Sequence, residues 1–141
     1  MKRITLFLLI LMLTMIIAGC GDDEVDLGPD ADSGAIPDLV GTYIVSGTDY
    51  LGNDYGGHLT IAAGANPGEY EFQWILIESV QTGFGVLDGN QLQVQWKSLD
   101  TSTEPYFGTV TYTVTAKGAL YGSRTVDGQD GFGKESAYPN Q

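Results

Sequence analysis

Large apolar residues alternate along Tyr70-x-Phe72-x-Trp74-x-Leu76, with Glu71 and Gln73 between them. Successive side chains of a strand point to opposite faces, so this spacing gives one buried face and one wet face. Leu92-x-Val94-x-Trp96 repeats the pattern, with Gln91, Gln93 and Gln95 opposite. Tyr106, Val110, Tyr112 and Val114 share a face through Gly108, while Thr109, Thr111 and Thr113 face away. Glycine interrupts every window long enough for a helix. From about Leu39 onward the chain reads as all-β.

Turn residues separate these runs at short, regular intervals. Asn66-Pro67-Gly68, Asp88-Gly89-Asn90, Lys117-Gly118 and Asp127-Gly128 are the residue types that tight hairpins with positive φ require. The pattern predicts about eight strands, near 41–47, 57–63, 69–77, 80–87, 91–97, 106–116, 119–126 and 131–138. Hairpin-linked strands over roughly a hundred residues suit one small core and describe an antiparallel meander closing into an up-and-down barrel. A two-sheet β-sandwich is the rival arrangement.

Several predicted strands contain glycine, which weakens an ordinary strand. Gly83 and Gly85 flank Phe84, Gly108 and Gly122 lie within strands, and Gly131-x-Gly133 recurs near the end. Such positions let a barrel bend or give a bulky neighbour room inside. They can equally open space for a ligand, since an eight-stranded barrel either packs solid or holds one small molecule.

Gly41-Thr42-Tyr43 opening the first strand, followed by hairpins, resembles the lipocalin and avidin class of small barrels. In lipocalins a Gly-x-Trp on the first strand meets a late arginine that packs across it and closes the barrel. The resemblance implies that Tyr43 stands for the tryptophan and Arg124 for its partner. Val86-Leu87-Asp88-Gly89-Asn90-Gln91-Leu92 and Gly118-Ala119-Leu120-Tyr121-Gly122 also resemble repeats in small exported bacterial proteins, some labelled fibronectin-binding.

The first twenty residues carry a different message. Lys2 and Arg3 precede an apolar run from Ile4 to Ile17, and Ala18-Gly19 leads into Cys20, the sole cysteine. This is similar to a bacterial lipoprotein signal peptide with its lipobox at 17–20. Fourteen helical residues rise only about 21 Å, short of the roughly 30 Å of a bilayer core, so a permanent span is disfavoured. The resemblance implies removal of 1–19 and attachment of diacylglycerol and an N-acyl chain to Cys20. Two or more chains anchor stably. In enteric lipoproteins an aspartate directly after the cysteine tends to retain the chain in the inner membrane, so with Gly21 there the resemblance implies the outer over the inner membrane of the cell envelope.

All eighteen acidic residues follow Cys20, against four bases, Lys97, Lys117, Arg124 and Lys134, for a side-chain balance of −14. Such a chain is repelled by nucleic acid and by anionic lipid. Residues 20–38 read as the lipidated cysteine and an acidic, disordered tether, with the barrel domain over 39–141. Asp30-x-Asp32-x-Gly34 has the flavour of a calcium loop, but the glycine falls at the fifth place and no matching Glu follows, so no metal site is expected.

Catalytic constellations are sparse. His58 stands alone at the start of a strand, Cys20 is taken by lipid, and Glu71 alternates outward from Phe72, away from any pairing with Glu69 or Glu78. The chain therefore reads as a non-enzyme without a cofactor. Two functions fit. One is a lipid-anchored binding module for a small apolar ligand or a partner protein, with Tyr50, Tyr55, Phe84 and Tyr121 as contacts. The other is a structural or surface-interaction lipoprotein (adhesin, inhibitor or assembly accessory) with a solid core, served by the tyrosines of the Gly47–Gly57 loop.

Overall fold

The computed structural model describes residues 24–100 and 106–140, so the leader and Cys20 lie outside the described residues. Eight strands follow in order: β1 (Gly41–Thr48), β2 (Asp54–Ala63), β3 (Glu69–Leu76), β4 (Val80–Asp88), β5 (Gln91–Ser98), β6 (Phe107–Val114), β7 (Leu120–Arg124) and β8 (Gly133–Pro139). Each pairs antiparallel with the next, and β8 pairs with β1, closing an up-and-down barrel. A ladder continuous round the ring rules out the two-sheet sandwich.

Local chemistry explains the turns. Only Gly89 and Asn90 separate β4 from β5, and Gly89 takes φ 61°. A positive φ at the first loop position alone is the signature of a type II′ hairpin, which matches strand twist. β2 begins at Asp54, three residues before its expected start at 57, because the preceding loop is tighter than its length suggests. The Asp49 carboxylate accepts from the Leu51 and Asn53 amides at 2.9 and 2.8 Å. Gly56 and Gly57 then extend the ladder opposite Ser46 and Val45.

Alternation sends one set of side chains inward. Tyr43, Val45, Leu59, Ile61, Phe72, Trp74, Leu92, Val94, Trp96, Val110, Tyr112, Val114, Leu120 and Ala137 are buried in one core. Strands β1, β3, β5 and β7 run from one end of the barrel, here the strap end, to the other, the far end; the even strands return.

The strap corrects the expected domain boundary. Over its described part, from residue 24, the stretch read as a tether to residue 38 packs against the barrel. Asp30 bridges Thr115, the Ala31 amide donates to the Val114 carbonyl at 2.9 Å, and the Ala116 amide donates to Pro29 at 2.8 Å. Ala31 and Leu39 are buried and Ile36 packs beside them, plugging the strap end. Asp32 and Asp38 stay exposed. Three apolar side chains set among acids are enough to hold the segment, because each withdraws apolar surface from water where the barrel opens.

Candidate functional site

One row of the barrel carries the main polar feature. Reading across the register, Tyr55 pairs with Gly47, Gly47 with Glu135, Glu135 with Gly122, and Gly122 with Tyr112. A glycine on each side of Glu135 leaves space over which a tyrosine can reach. A Cβ on Gly47 would lie 2.7 Å from the Tyr55 ring. Both hydroxyls donate to the Glu135 carboxylate, Tyr55 to Oε2 at 2.5 Å and Tyr112 to Oε1. Trp74 Nε1 adds a bond to Oε1 at 3.0 Å, and Arg124 Nη1 one to Oε2 at 2.7 Å. A carboxylate has about four lone-pair sites, and here all are taken.

Arg124 completes the cluster. Its Nη2 donates to the Gln81 side-chain oxygen, and its guanidinium lies 4.2 Å from the Trp96 ring centroid and 5.2 Å from that of Trp74. The expected closing pair of Tyr43 with Arg124 does not form. Tyr43 sits near the start of β1, at the strap end, where its hydroxyl donates to the Leu39 carbonyl at 2.8 Å. Arg124 ends β7, at the far end. Two strands running the same way cannot bring an early and a late position together, so the arginine stacks on tryptophans of β3 and β5 instead.

The interior glycines accommodate rings. The absent Cβ of Gly83 would lie 2.9 Å from the Trp74 ring, that of Gly85 2.8 Å from Phe72, and that of Gly108 3.1 Å from Trp96 Nε1. The space that glycine leaves is thus filled from inside. Burial, and then the Glu135 charge, pushes the phenols of Tyr55 and Tyr112 well above their ordinary range. Burial, and then the charge of Asp38, pushes Tyr43 up to about 12. All three stay protonated at neutral pH and serve as donors.

The four contact candidates do not converge. Tyr55 points into the core and is corrected to an interior residue, because β2 starts early enough to place it on the inward face. Tyr50 lies in the β1–β2 loop, and Tyr121, on the outer wall of β7, donates to Asp30 at 2.8 Å and fastens the strap. Phe84 stands exposed on the outer wall of β4, where it lines a groove of about 790 Å³. Phe107, Lys97, Thr109, Thr125 and Asp127 also line this groove, over a floor that includes Gly83, Trp96 and Gly108. A second hollow, of about 360 Å³, lies against Gly47, Gly122 and Tyr121. His58 and Glu71 are exposed, and Glu69 caps its turn by accepting from Asn66. Sequence reasoning missed Glu135, Trp74, Tyr112 and Gln81 as one cluster.

No family model matches the chain, and no curated protein matches it. Among solved structures it is similar to a redesigned beta barrel, mFAP1, bound to DFHBI, at 15% identity and a TM-score of 0.58, over 72% of this chain and 94% of that one. Another redesigned beta barrel matches at 13% identity and a TM-score of 0.59, over 81% and 99%. A third, mFAP0, also bound to DFHBI, matches at 15% identity and a TM-score of 0.54, over 71% and 97%. Likeness at this identity carries the fold: an eight-stranded β-barrel similar to designed ligand-binding barrels.

Proposed function

We propose that this protein is a lipid-anchored, non-catalytic component of the bacterial cell envelope, attached through Cys20, whose barrel binds through its outside. The observation that supports this reading most is the packed interior. Trp74, Trp96 and Tyr112 fill the barrel around Glu135, whose lone pairs are all engaged, and the strap plugs one end. A saturated carboxylate is a poor general base, and a filled core leaves the wall and loops for recognition. The leader and lipobox supply the anchor, and Gly21 favours the outer membrane.

A small apolar ligand has a specific place to bind in this reading. The groove between Phe84 and Phe107 falls within the volume range of small-molecule sites, and it presents two rings beside Lys97 and Asp127.

Two measurements test the proposal. In bacterial cells the wild-type chain is expected in the membrane fraction after a high-salt wash, and Cys20→Ser in the soluble fraction. A variant that stayed with the membrane would overturn the anchor. The soluble variant is then melted with a saturating fatty acid and with 1-anilinonaphthalene-8-sulfonate. A ligand at a hundredfold its Kd adds about 2.7 kcal/mol, and Phe84→Ser is expected to abolish any such gain. Stabilisation that survives Phe84→Ser, with lipid copurifying inside the barrel, would restore an interior site.

A further inference from the structure

The two ends of the barrel differ sharply in what they show to solvent. At the far end, Ile77 of the β3–β4 loop is 85% exposed, Leu51 of the β1–β2 loop 70%, and Phe132 of the β7–β8 loop 62%. Leu99 and Tyr106, which flank the β5–β6 connection, are exposed as well. At the strap end, residues 64–68, 89–90 and 115–119 contain no large apolar side chain. Single exposed apolar residues are ordinary, and the strap end shows two, Val25 and Val40, both on the strap; one at every connection of the far end is not ordinary.

Several of the connections that carry these tips meet their neighbours round the rim. The Leu99 amide donates to the Val80 carbonyl at 2.8 Å, and the Asp127 amide to Phe107 at 2.8 Å. The Gly131 Cβ position lies 3.6 Å from the Tyr50 carbonyl. Between the tips stand the exposed carboxylates of Asp54, Glu78, Asp100, Asp127 and Asp130, against Lys97 and Lys134 as the exposed bases of that end among the described residues. The far end is an apolar crown set in negative charge.

We infer that this crown docks a partner protein through a cationic segment that carries apolar side chains between its basic ones. The charge selects the occupant. A second copy would set two acidic rims face to face, and an anionic bilayer would repel the same carboxylates. A cationic segment is drawn in by the rim and held by burial of the tips.

The direction in which the crown faces rests on the anchor proposed above. The strap is fixed to the barrel from Asp26 onward through Lys117 at 2.6 Å, and six residues back to Cys20 reach at most about 22 Å. A lipid on Cys20 therefore holds the strap end toward the bilayer and turns the crown outward.

The test uses the full chain, wild type and Cys20→Ser, titrated by calorimetry with an 18-residue peptide of alternating leucine and lysine. The same peptide with glutamate for lysine is the control. Saturable one-to-one binding of the lysine peptide alone is expected. Ile77→Ser with Phe132→Ser should weaken it at least tenfold, since each substitution removes most of an apolar side chain that docking buries. Val40→Ser at the strap end should leave it unchanged. Leu51→Ser with Leu99→Ser is the replacement pair if the first fails to fold. The inference is overturned by equal binding of the glutamate peptide, or by an affinity that both crown pairs leave unchanged. A dimer or vesicle attachment that the crown substitutions dissolve would overturn it too. Because Cys20→Ser is titrated alongside, a failed anchor and a failed crown give separate results.

Discussion

Arg124 Nη1 donates to Glu135 Oε2 at 2.7 Å inside the barrel, with 7% of the arginine side chain and none of the glutamate exposed. Removing one member of such a pair leaves an uncompensated charge in a poorly solvating interior. Glu135→Gln is expected to lower unfolding stability by about 3–5 kcal/mol. Adding Arg124→Met should recover most of the loss. Urea denaturation of the two variants checks this, and a double variant no better than the single would assign the cost to the tyrosine bonds rather than the ion pair.

Gly47→Ala isolates the spacing of the Glu135 row. The new Cβ would meet the Lys134 carbonyl at 2.5 Å and the Tyr55 ring at 2.7 Å, and neither backbone nor packed ring yields easily. Overpacking of this kind costs about 1–3 kcal/mol. Gly34→Ala, whose Cβ has nothing within 4 Å, should be near neutral in the same melt.

Alkali should unfold the protein in one step. The Tyr43 phenol is raised from 10.0 to about 12, and those of Tyr55 and Tyr112 are raised as well, by burial and then by the Glu135 charge. Above pH 10 the unfolded chain releases these protons first, so it binds fewer than the native state and stability falls with rising pH. The contribution is complete below pH 10, and that of Tyr43 is lost by about pH 12. A late phase of phenolate absorbance, from these three buried rings, is expected to coincide with loss of the β-sheet signal. A late phase that preceded unfolding would contradict this.

The strap should behave as part of the domain. Leu39 is wholly buried at the strap end, and deleting it with Ala31 removes side chains whose truncation alone costs about 2–5 kcal/mol. A chain beginning at residue 40 should therefore melt well below one beginning at residue 24. Equal melting temperatures would return the segment to the role of tether.

The barrel was legible because period-two alternation and Gly-containing turns point to the same answer at every hairpin. The cluster inside it was legible in part. Glu135 is in phase with Gly133 and Ala137, small residues of an inward face, but Lys134-Glu135-Ser136 looks solvated when read alone. Strand parity would also have separated Tyr43 from Arg124, since β1 and β7 run the same way. Ala31 and Ile36 escaped notice because the acids around them dominate composition, while packing responds to individual side chains. No local signal in the β5 sequence tells that Arg124 will cover Trp96; that meeting depends on ring closure.

Ring closure also dictates an order of assembly. Tyr55, Trp74, Tyr112 and Arg124 lie on β2, β3, β6 and β7, and their common acceptor arrives only with β8. The partner edge of β1 arrives with the same strand, since β1 and β8 pair across nearly the whole domain. A nascent or truncated chain that stops short of residue 133 thus holds four donors without their carboxylate and an open sheet with two bare edges. Such a species cannot be a stable halfway house. Closure of β8 on β1 joins the two ends of the domain, and non-local pairing of this kind slows folding.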